Sequence, residues 1–330
     1  MRKLAALVLS VLMVLGLAAC TGDKNPTPPA GEEGNSYKIA IVKQLDHASL
    51  DEIANAVAAQ LDTLAAEKGI PITYKIFSGQ NDSTLLGQIG SQIISEEYDA
   101  IIPIATLAAQ TMTTAAEATK TPVIFAAISD PEEAGLVDLD YVTGISDALD
   151  TQKILDMMLA QNPDIQNVGL LYSLSEPNSK KPIAQAKAYL ESKGIAYQEA
   201  TGSNNEEIIT AANSLVGKVD AIFTPTDNVV MSAELTIGEI LAKAGIPHYA
   251  GADSFVRNGA FATCGVNYTD LGKQAADMTL AVLESGTVPA YALMEGGIIT
   301  VNTETAATLG ANYAVFAEMG ALVEVTTTED

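Results

Sequence analysis

From Tyr37 onward the chain repeats itself: the second half restates the first at an offset of about 120 to 130 residues. The first half holds apolar runs at 38–42 (KIAIV), 72–77 (ITYKIF), 100–105 (AIIPIA) and 122–128 (PVIFAAI). Between the first two, Leu50, Ile53, Ala54, Val57, Leu61 and Leu64 recur at spacings of three and four, which predicts a helix. In the second half, 168–172 parallels 39–43, Lys193-Gly194-Ile195 parallels Lys68-Gly69-Ile70, 219–226 parallels 98–105, and 245–247 parallels 120–122. Apolar strands alternating with amphipathic helices imply parallel sheets covered on both faces. The expected fold is therefore α/β, with two similar doubly wound parallel-sheet lobes joined by a hinge. In such sheets a ligand sits outside the carboxyl ends of the strands.

Charge narrows the partners. With 17 basic and 41 acidic residues among 330, the formal net charge is −24, which excludes a nucleic-acid surface. The two cysteines, Cys20 and Cys264, can form neither a disulfide framework nor a thiolate metal site, and Cys264 reads as a small buried hydrophobe. Residues 1–19 read as a signal peptide: Arg2 and Lys3, then an apolar stretch too short to span a bilayer. Its Leu-Ala-Ala-Cys ending resembles a bacterial lipobox, so Cys20 is expected to carry the lipid, with 20–36, rich in Pro, Gly and small polar residues, as the tether. The remaining boundaries are expected at 37–145 for lobe 1, 146–268 for lobe 2, and 269–330 for a segment crossing back between them. Val142–Ser146 and Gly265–Tyr268 are the hinge candidates.

The loops that follow the strands are small and polar. Lobe 1 offers Gln44, His47, Thr106, Ser129 and Asp130; lobe 2 offers Tyr172, Ser175, Glu176, Asn178, Ser179, Asp227, Asn228 and Asp253. Each loop opens a helix, so each residue also has an ordinary role as an N-cap. Their convergence from matched lobes points to one cleft. Helix starts near Thr106 and Ser179 suit a ligand carboxylate, and Glu176, Asp227 or Asp253 a ligand ammonium. Phe125 and Tyr172 are candidates to stack on an aromatic ring, with core packing as the alternative. His47 is a pocket donor or a structural residue. Arg257, the only arginine beyond the signal segment, reads as a surface or lobe-positioning residue.

Several motifs in order are similar to one family: Gln44-x-x-His47, ATxAAQ at 105–110, FAAxSDP at 125–131, LYSxSExNS ending at Ser179, PTDN at 225–228 and GVxYxDLG at 265–272. Together with the lipobox they resemble the solute-binding lipoproteins of bacterial ATP-binding-cassette importers, in the subgroup linked to tryptophan and other aromatic amino acids. The resemblance covers about residues 37–305. It implies a periplasmic-binding-protein type I fold, a small ligand clamped by these loops, and a permease with its ATPase as partners. It also carries over Thr106, Ser129, Asp130, Ser175, Glu176, Asn178, Ser179, Asp227 and Asn228 as ligand contacts. Ala48 and Leu107 stand where proline is more usual in the family.

An enzyme is not expected, because the sequence has no Gly-x-Ser-x-Gly elbow, phosphate loop or metal-ligand cluster. Neither cofactor nor metal is expected. Membrane attachment is expected through the Cys20 lipid alone, on the outer face of the bacterial cytoplasmic membrane. Branched-chain amino acids, short peptides, heterocycles and polyamines stay open as ligands, and a surface adhesin or sensor stays open as the role.

Overall fold

The computed structural model describes residues 36–328. The signal segment, Cys20 and the tether up to residue 35 lie outside the described residues.

The first lobe runs β1 (Tyr37–Lys43), α1 (Ala48–Lys68), β2 (Ile72–Ser78), α2 (Ser83–Ser95), β3 (Ala100–Ile104), α3 (Thr106–Ala116), β4 (Val123–Ala126) and β5 (Val142–Ser146). The second runs α4 (Thr151–Gln161), β6 (Asn167–Ser173), α5 (Lys180–Lys193), β7 (Ala196–Gly202), α6 (Asn205–Leu215), β8 (Ala221–Thr224), α7 (Asn228–Met231), α8 (Glu234–Lys243), β9 (His248–Ala250), α9 (Asp253–Arg257) and β10 (Ala262–Val266). After these come α10 (Tyr268–Ser285), β11 (Ala292–Leu293), β12 (Gly296–Asn302), α11 (Thr303–Leu309) and β13 (Ala321–Val325). The sheet orders are β11-β5-β4-β3-β1-β2 and β13-β12-β10-β9-β8-β6-β7. Both contain the same doubly wound pattern, which is the repeat seen in the sequence. One pairing departs from a wholly parallel arrangement: β12 runs antiparallel to β10.

The repeated residues have repeated jobs. Asp99, before β3, accepts the Lys38 backbone N–H of β1 at 2.7 Å. Its counterpart Asp220, before β8, accepts the N–H groups of Gln166 and Asn167 at 2.8 and 2.9 Å where β6 begins. A carboxylate at this position pins the start of the neighbouring strand in each lobe by accepting backbone N–H groups there. Helices α1 and α5 both end on a left-handed glycine, Gly69 at φ 65° and Gly194 at φ 70°. A side chain with a β-carbon would be strained at either site.

Strand β1 is buried on both faces, with Ile39, Ala40, Ile41 and Val42 fully inaccessible, as a central parallel strand requires. One core surrounds Phe77, Leu86, Met112 and Phe125 in lobe 1, and another surrounds Leu170, Phe223, Tyr249 and Phe261 in lobe 2. A third runs continuously from Ile41 and Leu50 to Val229 and Phe255, so the lobes are packed together. The chain passes between lobes three times. It leaves β5 through Asp147–Asp150, returns at Asn267 before α10, and leaves again between β11, which pairs with β5, and β12. Helix α10 is tied to α1 by Gln60 to Asp277 and Lys68 to Glu284.

Candidate ligand site

A cavity forms where the carboxyl ends of both sheets face each other. Lobe 1 lines it with His47, Ser49 and Leu50 after β1, Ala105 and Thr106 after β3, Ala127 and Ser129 after β4, and Asp147 after β5. Lobe 2 contributes Asn178, Thr226, Asp227, Asn228, Met231 and Phe255, and Tyr268 reaches it from the second crossover. The free space is about 20 Å³, room for about one water. An amino acid therefore fits only if the lobes or the lining side chains give way.

The backbone is strained at two of these positions. Ala105 holds φ 74° and ψ 163°, a region essentially confined to glycine, and Ala127 holds φ 57°. Both lie immediately after strands of lobe 1, where the chain turns sharply to bring Thr106 and Ser129 to the cavity wall. Ala105 is the N-cap of α3 and offers no side-chain acceptor. Gln44 reaches across to take one N–H of that first turn, from Leu107 at 3.0 Å.

Two carboxylates line the cavity, and their surroundings separate their roles. Asp227 accepts the Val229 and Val230 N–H groups at 3.1 and 3.0 Å through one oxygen, and the Ser173 N–H and Ser179 Oγ at 2.7 Å each through the other. Four donors exhaust the roughly four lone-pair sites of a carboxylate. Asp227 is a structural cap of lobe 2, which revises its expected role as an ammonium partner. Asp147 has spare capacity: it accepts from Ser129 Oγ and from Tyr268 OH, both at 3.0 Å. Burial raises the pKa of both groups.

Two residues that line the cavity each carry a buried polar atom without a hydrogen-bond partner, His47 at Nδ1 and Asn178 at Oδ1. Burial holds His47 down at about 4, so the ring is neutral at physiological pH. No lysine or arginine lines the cavity. The complement for a ligand anion is instead the N-terminal end of α3 with the Thr106 hydroxyl. Leu50, Met231, Phe255 and the Tyr268 ring supply the apolar wall.

Around the cavity the lobes are joined by polar contacts. Gln44 Nε2 donates to Glu176 at 2.8 Å, His47 Nε2 meets Asn228 Oδ1 at 3.1 Å, Ser129 meets Thr226 at 3.0 Å, and Ser49 meets Ser254. Lys181 pairs with Asp130 at 2.8 Å. Glu176, pushed up to about 7 by burial and then by the Asp227 charge, also accepts from Asn228 at 2.6 Å.

Of the residues expected at the site, His47, Thr106, Ser129, Asn178, Asp227 and Asn228 line the cavity. Gln44 and Glu176 lie in the seam beside it, and Asp130 in an ion pair across the seam. Ser179 serves Asp227. Tyr172 turns away, its hydroxyl on Glu199 at 2.6 Å, and Ser175 is exposed and bonded to Ser173. Asp253 binds Arg257 and lines a separate cavity of about 380 Å³ with Glu52 and Tyr268. Phe125 packs on Tyr291 within lobe 1, with ring centroids 6.1 Å apart. The aromatic side chains at the cavity are Phe255 and Tyr268. Asp147, Phe255 and Met231 were not singled out from the sequence, and Leu50 was read there only as a helix position. Asp147 could have been found by extending the loop search to the strand after FAAxSDP. Among the described residues, no group of histidine, cysteine, aspartate and glutamate could hold a metal ion, and no helix is long and apolar enough to cross a membrane.

Two matched α/β lobes closing over a cavity with one available carboxylate, unpartnered polar atoms and an apolar wall define a binding protein for a small solute. The chain belongs to the ABC transporter substrate-binding protein family, whose model matches residues 38–314. A tyrosine-binding protein of Clostridioides difficile is 31% identical over 320 residues, covering 92% of this chain and 91% of that one. Two solved structures cover 88% of this chain and 100% of their own. One is an ABC domain from Streptococcus pneumonia in complex with L-Trp, at 29% identity and a TM-score of 0.80. The other is a ligand-free, open substrate-binding protein with adhesive properties from Clostridium difficile, at 30% identity and a TM-score of 0.66. In this chain the two lobes meet directly around the cavity.

Proposed function

We propose that this protein captures an aromatic amino acid outside the cytoplasm and delivers it to an ABC permease and its ATPase, tethered to the outer face of the bacterial membrane by a lipid on Cys20. The observation that carries the ligand class is the composition of the cavity: an available carboxylate, no lysine or arginine, and an apolar wall with two aromatic residues. In this reading the ligand ammonium meets Asp147 and Asn178 Oδ1, the carboxylate meets the start of α3, and the ring lies against Phe255, Tyr268 and Met231. The tryptophan and tyrosine named for two relatives support the same class. Closure follows from differential contact. A ligand held first by one lobe stabilises the closed state only by what it gains from the other.

The decisive experiment is thermal unfolding with and without millimolar tryptophan, tyrosine, phenylalanine, leucine and spermidine, followed by calorimetry. A ligand at about a hundred times its dissociation constant adds roughly 2.7 kcal/mol of stability. The chain has no tryptophan, so bound tryptophan also reports its own burial by fluorescence. A selective shift with aromatic amino acids is expected; a flat panel removes that ligand class. A second role in surface adhesion is favoured by the adhesive properties of one relative. Deleting the gene separates the two: lost uptake of labelled ligand supports transport, and lost adhesion with unchanged uptake supports the alternative.

A further inference from the structure

We infer that Glu176 is a positioning residue that acts through Asn228 to set His47 as a hydrogen-bond acceptor, so that the closed cavity selects a ligand with an N–H or O–H group facing His47 Nδ1. The inference rests on the ligand site proposed above.

The orientation of each group follows from its neighbour. A backbone N–H can only donate, and that of Leu107 donates to Gln44 Oε1 at 3.0 Å. Gln44 therefore turns its amide nitrogen toward Asn81 Oδ1 at 2.9 Å and Glu176 Oε1 at 2.8 Å. The second Glu176 oxygen lies 2.6 Å from Asn228 Nδ2. An ionised carboxylate only accepts, so Asn228 must present its nitrogen there and its oxygen on the other side. That oxygen is 3.1 Å from His47 Nε2. An amide oxygen also only accepts, so Nε2 carries the ring proton. A neutral imidazole has one proton, which leaves a lone pair on Nδ1. Nδ1 is buried without a partner.

Glu176 and Asn228 belong to lobe 2, whereas His47, Gln44 and Leu107 belong to lobe 1. The relay is complete only when the lobes meet. In the open state His47 is free to take either tautomer; on closure it is held as an acceptor at Nδ1. A ligand with no donor at that point leaves a desolvated lone pair unsatisfied, and closure is weakened. The charged groups around the relay are Asp227 beside Glu176, and Lys43, Asp46 and Asp51 near His47.

The test is nitrogen-15 NMR of the imidazole rings at pH 8, above the value to which Glu176 is pushed. The chain has only two histidines, so His47 is read against His248 alone. Closure can be imposed without ligand by Ser49→Cys with Ser254→Cys, oxidised with glutathione disulfide, because the two hydroxyls touch across the seam. In the locked protein His47 is expected almost wholly as the Nε2–H tautomer. Adding Glu176→Gln or Asn228→Ala should give a mixture, and in the unlocked protein each should weaken tryptophan or tyrosine binding about tenfold. A predominant Nδ1–H tautomer in the locked protein overturns the inference. So does a tautomer that neither substitution moves. If a substituted protein fails to fold, the tautomer of the locked parent still decides. A flat response to aromatic amino acids with the Nε2–H tautomer intact would remove the ligand assignment and leave the relay standing.

Discussion

The helices that follow the third strand of each repeat, α3 after β3 and α7 after β8, occupy equivalent places and treat their first turns in opposite ways. Helix α7 is capped by Asp227, whose carboxylate takes two N–H groups of its own turn and two more donors from the end of β6 and the loop after it. Helix α3 begins at Ala105, which has no side chain to offer, and its backbone is strained to make the turn. One lobe has thus closed its helix start with a built-in anion, and the other presents a helix start beside the cavity. A repeat that preserves topology has divided the labour: lobe 2 caps its helix start, and lobe 1 leaves a helix start that, in the proposed reading, faces a ligand carboxylate. In the same proposal the ligand ammonium falls to Asp147, just after β5 where the chain first leaves lobe 1.

Substitutions can break or sharpen this contrast. Asp147→Asn removes the only cavity carboxylate with spare lone pairs, and tryptophan or tyrosine affinity measured by calorimetry should fall on the order of 100-fold; unchanged affinity would place the ammonium elsewhere. Asp227→Ala strips four donors of their acceptor in the buried rim of lobe 2. The expected cost is about 3 kcal/mol of stability, seen as a thermal midpoint lower by several degrees. A variant that melts like wild type and loses only binding would return Asp227 to the ligand. Ala105→Gly relieves the strained turn of lobe 1 and should stabilise by about 1 kcal/mol in urea unfolding, whereas a loss would show that the Ala105 conformation carries little strain.

The smallest effect is in pH. Burial and the Asp227 charge raise Glu176 to about 7 from its ordinary 4.5. Between those values the folded protein keeps a proton that the unfolded chain has lost, so this group's contribution to stability grows as pH falls through the window and is lost as pH rises. Glu176→Gln removes that dependence. Its melting temperature, compared with wild type, should therefore be more favourable at pH 8 than at pH 5. A constant difference would mean that Glu176 titrates normally.

Much of this architecture was legible in the amino-acid order. Alternating apolar runs and three-to-four spacing are local signals, and they located β1, α1, β3, β4 and β6 to within a few residues. The repeated Asp-Ala-Ile and Lys-Gly-Ile segments marked the strand starts and helix ends, because a pinned strand and a left-handed turn each restrict which residues serve there. The rim loops were legible as loops, and six of the thirteen residues drawn from them line the cavity. Which way a side chain turns was not legible. Tyr172 and Phe125 end strands beside the rim, yet one bonds to Glu199 and the other packs on Tyr291.

The sequence by itself determined two doubly wound lobes with polar rims, because hydrophobic periodicity and turn chemistry act over a few residues. Only the tertiary structure decided which carboxylate is available to a ligand. Asp147 and Asp227 are the same residue type on similar rims, and they differ in how many donors reach them. Two of the four donors that saturate Asp227 come from Ser173 and Ser179, about fifty residues away. Asp147 keeps open positions because the crossover brings it only Ser129 and Tyr268. A count of hydrogen bonds made by distant partners exists only once the chain has folded.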